Sequence, residues 1–377
     1  MSSAETDEQR EIRSTVRKLL ARAQPIEAAR QAEGGPGAGF DAAVWRQLSE
    51  ELGVTAVLVP EEHGGLGLTL SDAAVILEET GRACYNGPFL ESAVIAPLLL
   101  GLADQDVKAQ WSLLVEEQVI ATVGGLTAAG SAPSVRAAEG PSGWTLDGTL
   151  FGVPQGLVAD LVYVVADSAA GTGVWAVRSD AAGHDRAPLA TLDLTRPMST
   201  HRFAQTPAEL VLAPSTSSAA LRLLAALAAT ALSAEQVGAT TQLLEIVIEH
   251  LRNRYQFGRA LGSFQVLKHR CVNMSISREA SAAASWAARN AADQALAGGD
   301  DEAPAEAVRL GSIAGAWCSD ALVEVAGAAL QLHGGTGMTW EHDIHVFLRR
   351  AKGSQKLFGA PRDHRRVVRD LLGLSPA

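Results

Sequence analysis

Apolar residues recur at helical spacing through most of this chain, and the exceptions mark its layers. Leu243, Val247 and Leu251 keep one face apolar in a run from Ala219 to about Tyr255 that only Gly238 interrupts, which predicts one long helix. Further helices are predicted from Ser263 to about Leu296 and from Ala303 to about Leu332. They are separated by AGGDDEAP, a short acidic turn of the length that joins antiparallel neighbours. A last helix, roughly Asp343 to Leu357, completes four. Before residue 119 the pattern is helical with loop punctuation: EIRSTVRKLLARA, AAVWRQLSEEL and SDAAVILEETGRAC, the last following a break, VPEEHGGLGLT, too rich in Gly and Pro to be helical. Ser71 with Asp72 is expected to cap the helix after that break.

Between about Val119 and Leu212 the texture changes to short runs such as WTLDGTLFGV, ADLVYVVAD and GVWAVRS, divided by Gly, Asp and Pro turns, which predict a small β-domain. Pro214 to Ser218 then reads as a linker running into a helix N-cap. The expected architecture is α+β: an N-terminal helical domain over 1–118, a middle β-domain over 119–213 and a C-terminal four-helix bundle over 214–377. Helices, then strands, then helices indicate separate layers, not the alternating units of a Rossmann domain.

At 377 residues and 47% apolar composition the chain can bury two or three cores. Its formal net charge of -11 argues against nucleic-acid partners, which need a concentrated positive field. Cys84, Cys271 and Cys318 are far apart and lack metal-ligand spacing, so neither a disulfide framework nor a metal site is suggested. The charged start, MSSAETDEQREIRSTVRKLL, has no secretory apolar region, and a cytoplasmic location is expected. The most apolar stretch, Ala219 to Ala234, falls short of the roughly 18 residues that a bilayer span requires, and no membrane partner is expected.

Two clusters carry candidate chemistry. The first is Arg254-Tyr-Gln-Phe257-Gly258, followed by Leu261-Gly-Ser-Phe264-Gln265 and His269. Singly, Arg254 reads as helix-dipole compensation and Gly258 as a helix stop. The second is Gln331-Leu-His333-Gly334-Gly335-Thr336-Gly337, where three glycines let backbone N–H groups approach an anion. His342 and His345, three apart, form a possible metal pair, but no third ligand accompanies them, which favours plain surface histidines. Arg349, Arg350 and Lys352 form a basic run that suits a phosphate or, more plainly, a solvated helix face.

Taken together, the two clusters resemble the C-terminal domain of acyl-CoA dehydrogenases, whose RxxFG, FQ and Q-x-x-GG-x-G elements recur in this order. The resemblance covers nearly the whole chain. Leu52-Gly-Val-Thr with Val59-Pro-Glu-Glu-His-Gly-Gly-Leu-Gly is similar to the N-terminal segment, and Gly148 to Asp160 with Asp193-Leu-Thr-Arg196 to the β-domain. Trp340-Glu-His-Asp343 through Lys352 is similar to the last helices. The DLTR and HGGTGMTWEHD wording is closest to actinobacterial sterol and steroid-catabolic members. The resemblance implies FAD as cofactor, an acyl-CoA substrate, a homologous partner subunit in a homo- or heterotetramer, and electron-transfer flavoprotein as a further partner. By it, Arg254, Gln265, Gln331, Gly334 and Gly335 would contact the pyrophosphate and adenine of FAD across a subunit interface, with Phe257 and Phe264 packed beside them. A guanidinium suits phosphate because its fork matches two oxygens. The basic run at 349–352 would then meet CoA phosphates or a neighbour's FAD.

The chemical residues depart from the family pattern. α,β-Dehydrogenation of a thioester needs a carboxylate to remove the α-proton while the flavin accepts hydride. Most members place that Glu before the glycine that is Gly359 here, and this chain has Phe358. A second lineage places it early on the long helix, at a position that falls on Ala228 and Ala229. The flavin-facing Trp-x-Thr falls on Gly152 and Pro154, and the Thr-Glu-Pro-x-x-Gly-Ser loop is reduced to Leu126-Thr-Ala-Ala-Gly130-Ser131. Glu235 lies about 10 Å along the helix from Ala228. Glu245 and Glu249 read as solvated or paired residues, and Glu341 and Asp343 as caps of the last helix. The catalytic base is therefore unassigned. Three readings follow: the subunit without the catalytic Glu of an α2β2 acyl-CoA dehydrogenase; a homo-oligomeric flavoenzyme with a relocated base or a different oxidation; or a scaffold without flavin.

Overall fold

The computed structural model describes residues 5–32, 40–128 and 133–374. Helices α1 (Asp7–Ala23), α2 (Pro25–Gln31), α3 (Ala42–Leu52), α4 (Leu70–Arg82), α5 (Ala96–Gly101) and α6 (Lys108–Val115) make the first layer, with a π-helical turn at Phe89–Ile95 leading into α5. The cap of α4 is Thr69 and not Ser71. The Thr69 side chain accepts from Asp72 N while the Asp72 carboxylate accepts from Thr69 N, and Ser71, one turn inside, bonds Asp293 instead.

Strands β1 (Ala121–Gly124), β2 (Val135–Gly140), β3 (Gly143–Pro154), β4 (Leu161–Ser168), β5 (Gly171–Arg178), β6 (His184–Leu189) and β7 (Met198–Leu212) form one seven-stranded sheet. The pairings β4–β2, β2–β3, β3–β7, β7–β5 and β5–β4 return to their start, so the sheet closes on itself, with β1 beside β4 and β6 beside β7. Side chains alternate across this wall. Val162, Val164, Trp175 and Val177 fill the inside, while Tyr163, Val165, Val174 and Ala176 face the helices.

Helices α7 (Ser217–Asn253), α8 (Gln265–Leu296) and α9 (Ala303–His333) form the body of the C-terminal bundle. The last side holds two helices, α10 (Ile344–Ser354) and α11 (Pro361–Leu371), both packed on α9, where one was expected. Gly238 does not interrupt α7; it lets α7 touch α4. A Cβ at Gly238 would lie 1.8 Å from Glu78 O, and one at Gly81 would lie 1.8 Å from Glu235 O. The helices cross backbone to backbone. By length and composition α7 and the helical run Ala303–Met338 are long and apolar enough to cross a membrane, but 72% and 56% of those windows are buried in this fold.

Candidate functional site

The two predicted motifs meet at one end of the bundle. Arg254 caps α7, its N–H donating to His250 O at 2.9 Å. The chain then turns in a two-residue hairpin, Tyr255 opposite Ala260 and Gln256 opposite Arg259. Phe257 (φ 55) and Gly258 (φ 75) form its tip, the doubly left-handed turn that suits a short hairpin. The FG pair is therefore a hairpin tip and not a helix stop. A bulky residue held at positive φ is strained, and the Phe257 side chain at this tip is 89% exposed. Phe264 meets Phe257 edge-on at 6.2 Å, and the Arg259 guanidinium lies 3.9 Å over the Phe264 ring. Gln265 opens α8 and is exposed, as are Arg254, Gln331, Gly334 and Gly335.

His333 ends α9, and Gly334 (φ 59, ψ -140) starts the 3-10 turn Gly334–Met338. His250, one turn before Arg254, packs against His333 with ring centroids 4.0 Å apart and planes tilted by 31°, which ties the ends of α7 and α9 together. His342 meets His333 edge-on at 4.9 Å, while His345 stacks on Trp340 and faces Trp340 O. His342 and His345 thus have separate partners, and among the described residues no group of His, Cys, Asp or Glu has metal-binding geometry.

Where the sheet, the first layer and the bundle meet, the geometry is the opposite. Phe358 (φ 59) is 5% exposed and belongs to the same apolar cluster as Phe89, Leu90, Ala228 and Leu232. Ala128 N donates to Phe358 O at 3.0 Å, and a Cβ on Gly359 would come within 2.8 Å of the Ala128 Cβ. The two walls expected to face a flavin ring therefore touch. Ala129, Gly130 and Ser131, the rest of the shortened loop, lie outside the described residues. Gly152 (φ 71) and Pro154 sit at a bulge of β3 against β7, and neither offers a side chain to stack or donate. An open cleft of about 620 Å3, lined by Leu126, Thr127, Lys356, Phe358, Arg362 and Arg365 among others, borders the contact. Its carboxylates are engaged: Asp320 accepts from Gln355 and Arg365, and Asp363 accepts from Ala360 N and Arg366.

Glu235 is no base either. Both its oxygens accept from Arg196 Nη2, at 2.5 and 2.8 Å, and Oε1 accepts from Arg350 Nη2 at 3.0 Å. Burial pushes the Glu235 carboxyl up, but Arg196 and Arg350 outweigh it and hold it below the ordinary carboxylate range. Arg350 is 3% exposed and also donates to Thr195 O at 2.8 Å and to Tyr85 O at 3.2 Å. It therefore leaves the expected surface run, and only Arg349 and Lys352 of the three are available to solvent. Asp193 lies 3.9 Å from Arg350. Glu91 lies 4.0 Å from Arg196, and burial pushes its carboxyl up toward the neutral form. Two guanidiniums thus converge on Glu235, with Asp193 and Glu91 at the edges of the hub. Asp343 occupies the α10 cap position without a side-chain cap bond, because its carboxylate is held by Arg30 at 2.7 Å. Glu245 pairs with Arg82.

A second buried chain runs through the barrel wall. His184 Nδ1 faces Arg178 O at 3.2 Å, so that nitrogen carries the hydrogen; His184 Nε2 then accepts from His201 Nδ1 at 3.0 Å, and His201 Nε2 accepts from the Ser199 hydroxyl at 2.8 Å. Burial, then His184 and Arg186, push His201 down to about 3. Ser199 and His201 are both 0% exposed, so this relay is a satisfied polar core and no nucleophile. Neither it nor the hub was visible in the sequence, since their members are scattered along the chain.

Comparison with known proteins agrees over the whole length. The profile for the acyl-CoA dehydrogenase C-terminal domain matches residues 220–371, and that for the N-terminal domain matches residues 6–113. The chain is 32% identical over 374 residues to acyl-CoA dehydrogenase IpdE2 of Mycobacterium tuberculosis, covering 98% of this chain and 99% of that protein. A variant of the Tcur3481-Tcur3483 steroid acyl-CoA dehydrogenase superposes with a TM-score of 0.85 at 26% identity, covering 97% of this chain and 98% of that one. The ChsE4-ChsE5 complex from Mycobacterium tuberculosis shares the fold, with a TM-score of 0.82 at 24% identity over the full length of both chains.

Proposed function

The chain belongs to the acyl-CoA dehydrogenase family, and on that premise we propose that it is the subunit without a catalytic base in a heteromeric, FAD-dependent dehydrogenase of steroid-derived acyl-CoA thioesters. Its homologous partner supplies the carboxylate and receives the flavin ring, and this chain holds the cofactor's tail. One observation carries the reading: the family's base positions, Phe358 and the pair Ala228 and Ala229, are buried in the core at 5%, 0% and 2% exposure, while the tail motifs stand open at the bundle end.

FAD fits one half of this chain. A Cβ at Gly258, Gly334 or Gly335 would meet nothing within 4 Å, so the backbone there is accessible to a large anionic ligand. Arg254 would hold the diphosphate through its guanidinium fork, the N–H groups of the Gly334–Met338 turn would add donors, and Gln265 and Gln331 would add side-chain amides. The exposed Phe257 ring, set at right angles to Phe264, offers a face beside them for an aromatic base. The other half does not fit, because the 126–128 segment is bonded to the segment ending in Gly359 where the ring would enter. The chemistry FAD brings to this family is hydride acceptance, and among the described residues none is placed to pair that with proton removal. The steroid-acting relative carries a paired name, Tcur3481-Tcur3483, which supports the two-chain arrangement.

The test is expression with and without a homologous dehydrogenase subunit that retains the glutamate. The expected result is colourless, poorly soluble protein from this chain alone and a yellow complex from co-expression, with one flavin for each pair of unlike chains. A soluble, yellow homo-oligomer of this chain that reduces an electron acceptor with an acyl-CoA would overturn the reading.

A further inference from the structure

A diphosphate seated on the tail motifs lies where three helix ends come together. Arg254 caps α7 and the Gln331 to Gly335 turn ends α9, each helix presenting carbonyls with roughly half a negative charge, while α8 starts at Gln265 and presents roughly half a positive one. Arg254, with Arg259 in the hairpin, supplies the fixed positive charge.

Three imidazoles sit at that spot. His250 packs tilted against His333 at 4.0 Å, and His342 meets His333 at 4.9 Å. His250 lies one turn from Arg254, and His333 adjoins Gly334. His333 Nδ1 faces Ala329 O at 2.9 Å and so carries the hydrogen, which leaves Nε2 as the site for a further proton. Rings this close cannot all be charged while the seat is empty. Burial, then His342 and Arg254, hold His250 below its ordinary range; burial, then His250 and His342, hold His333 down to about 4, although the Ala329 bond opposes this. Of the other charged groups on the elements packed around the cluster, Asp343 is bonded to Arg30, and Arg349 lies 5.4 Å over the Trp340 ring that His345 stacks on. The rest, Glu249 and Arg252 on α7, Lys268, His269 and Arg270 on α8 and Glu341 before α10, are exposed to solvent. A dianion arriving at this cluster is the partner that turns mutual repulsion into attraction.

We infer that the His250–His333–His342 cluster is a proton-linked part of the seat for the cofactor's diphosphate, taking up a proton as the dianion binds. This rests on the tail-binding reading above and adds its regulation. The sign follows from linkage: if the occupied state binds more protons, affinity rises as pH falls.

ADP-ribose is the suitable probe, because it carries the adenosine diphosphate of the tail as a diester whose own charge is constant across the neutral range, and it has no flavin ring. Calorimetry on the co-expressed complex stripped of flavin, in buffers of different ionisation enthalpy, is expected to report proton uptake. Affinity is expected to climb about threefold to tenfold per pH unit from pH ~8 to ~6. His250→Gln and His342→Gln are each expected to reduce both the uptake and the climb. Binding that persists with a flat pH profile, or a climb unchanged in both variants, overturns the inference and leaves the tail reading standing. Absence of binding at every pH takes down both.

Discussion

At the three-layer junction Arg196 and Arg350 are each 3% exposed and neutralise carboxylates of their own chain; at the bundle end Arg254 is exposed and the Phe257 ring beside it stands 89% in solvent. The same side-chain chemistry thus closes one region and leaves the other ready for an outside anion. A subunit that kept its own active site would need the reverse at the junction: an open wall, a stacking residue and an unpaired carboxylate. Under the proposed function, loss of a catalytic centre takes more than deletion of one glutamate: Phe358 and Ala228 lie in the apolar core, and Arg196 and Arg350 join the layers around Glu235.

The sharpest way to break the comparison is Arg350→Met. It removes Glu235's second partner and the bonds to Thr195 and Tyr85, and should cost about 3–5 kcal/mol in urea unfolding. A cost below about 1 kcal/mol would mean that the junction is not held by this hub. Phe358→Glu should cost at least about 2 kcal/mol, because it places a carboxylate in an apolar cluster. It should also give no acyl-CoA-dependent reduction of an electron acceptor by the isolated chain; gain of that activity would show the wall contact to be no barrier.

Acid provides the next effect. His201 is held near 3 in the folded chain against an ordinary 6.5, so the unfolded chain takes the proton first. Its contribution is complete above about pH 6.5 and is lost as pH falls toward 3, by up to about 1.4 kcal/mol per pH unit. His201→Asn should flatten unfolding free energy against pH in that window, and an unchanged slope would assign it to other groups. Smallest of all, Arg254→Ala should change stability of the chain by no more than about 0.5 kcal/mol while the co-expressed complex loses its flavin on dilution. Equal flavin retention would remove Arg254 from the tail site.

The long helices α7, α8 and α9 were legible to within a few residues because helical periodicity persists over many turns. Short elements were not. Helices α2 and α6 are too brief for a period to emerge, and α11 (PRDHRRVVRDL) carries little apolar signal, with only Pro361 and His364 fully buried. The cap of α4 was misplaced by two residues because Thr69 and Ser71 both carry a hydroxyl near Asp72, and only the backbone direction decides between them. The tail motifs could be read because they are contiguous. The hub joins residues 91, 193, 196, 235 and 350, and Arg350 looks like any arginine on an amphipathic helix until its partners are known.

The crossing of α4 and α7 rests on two missing side chains, with Gly81 and Gly238 each laid against the other helix's carbonyls. Room between these helices cannot be gained by trimming, because nothing is left to trim. Anyone seeking to reopen a tunnel there would have to install bulk as a spacer, reversing the usual practice of carving a pocket by making residues smaller.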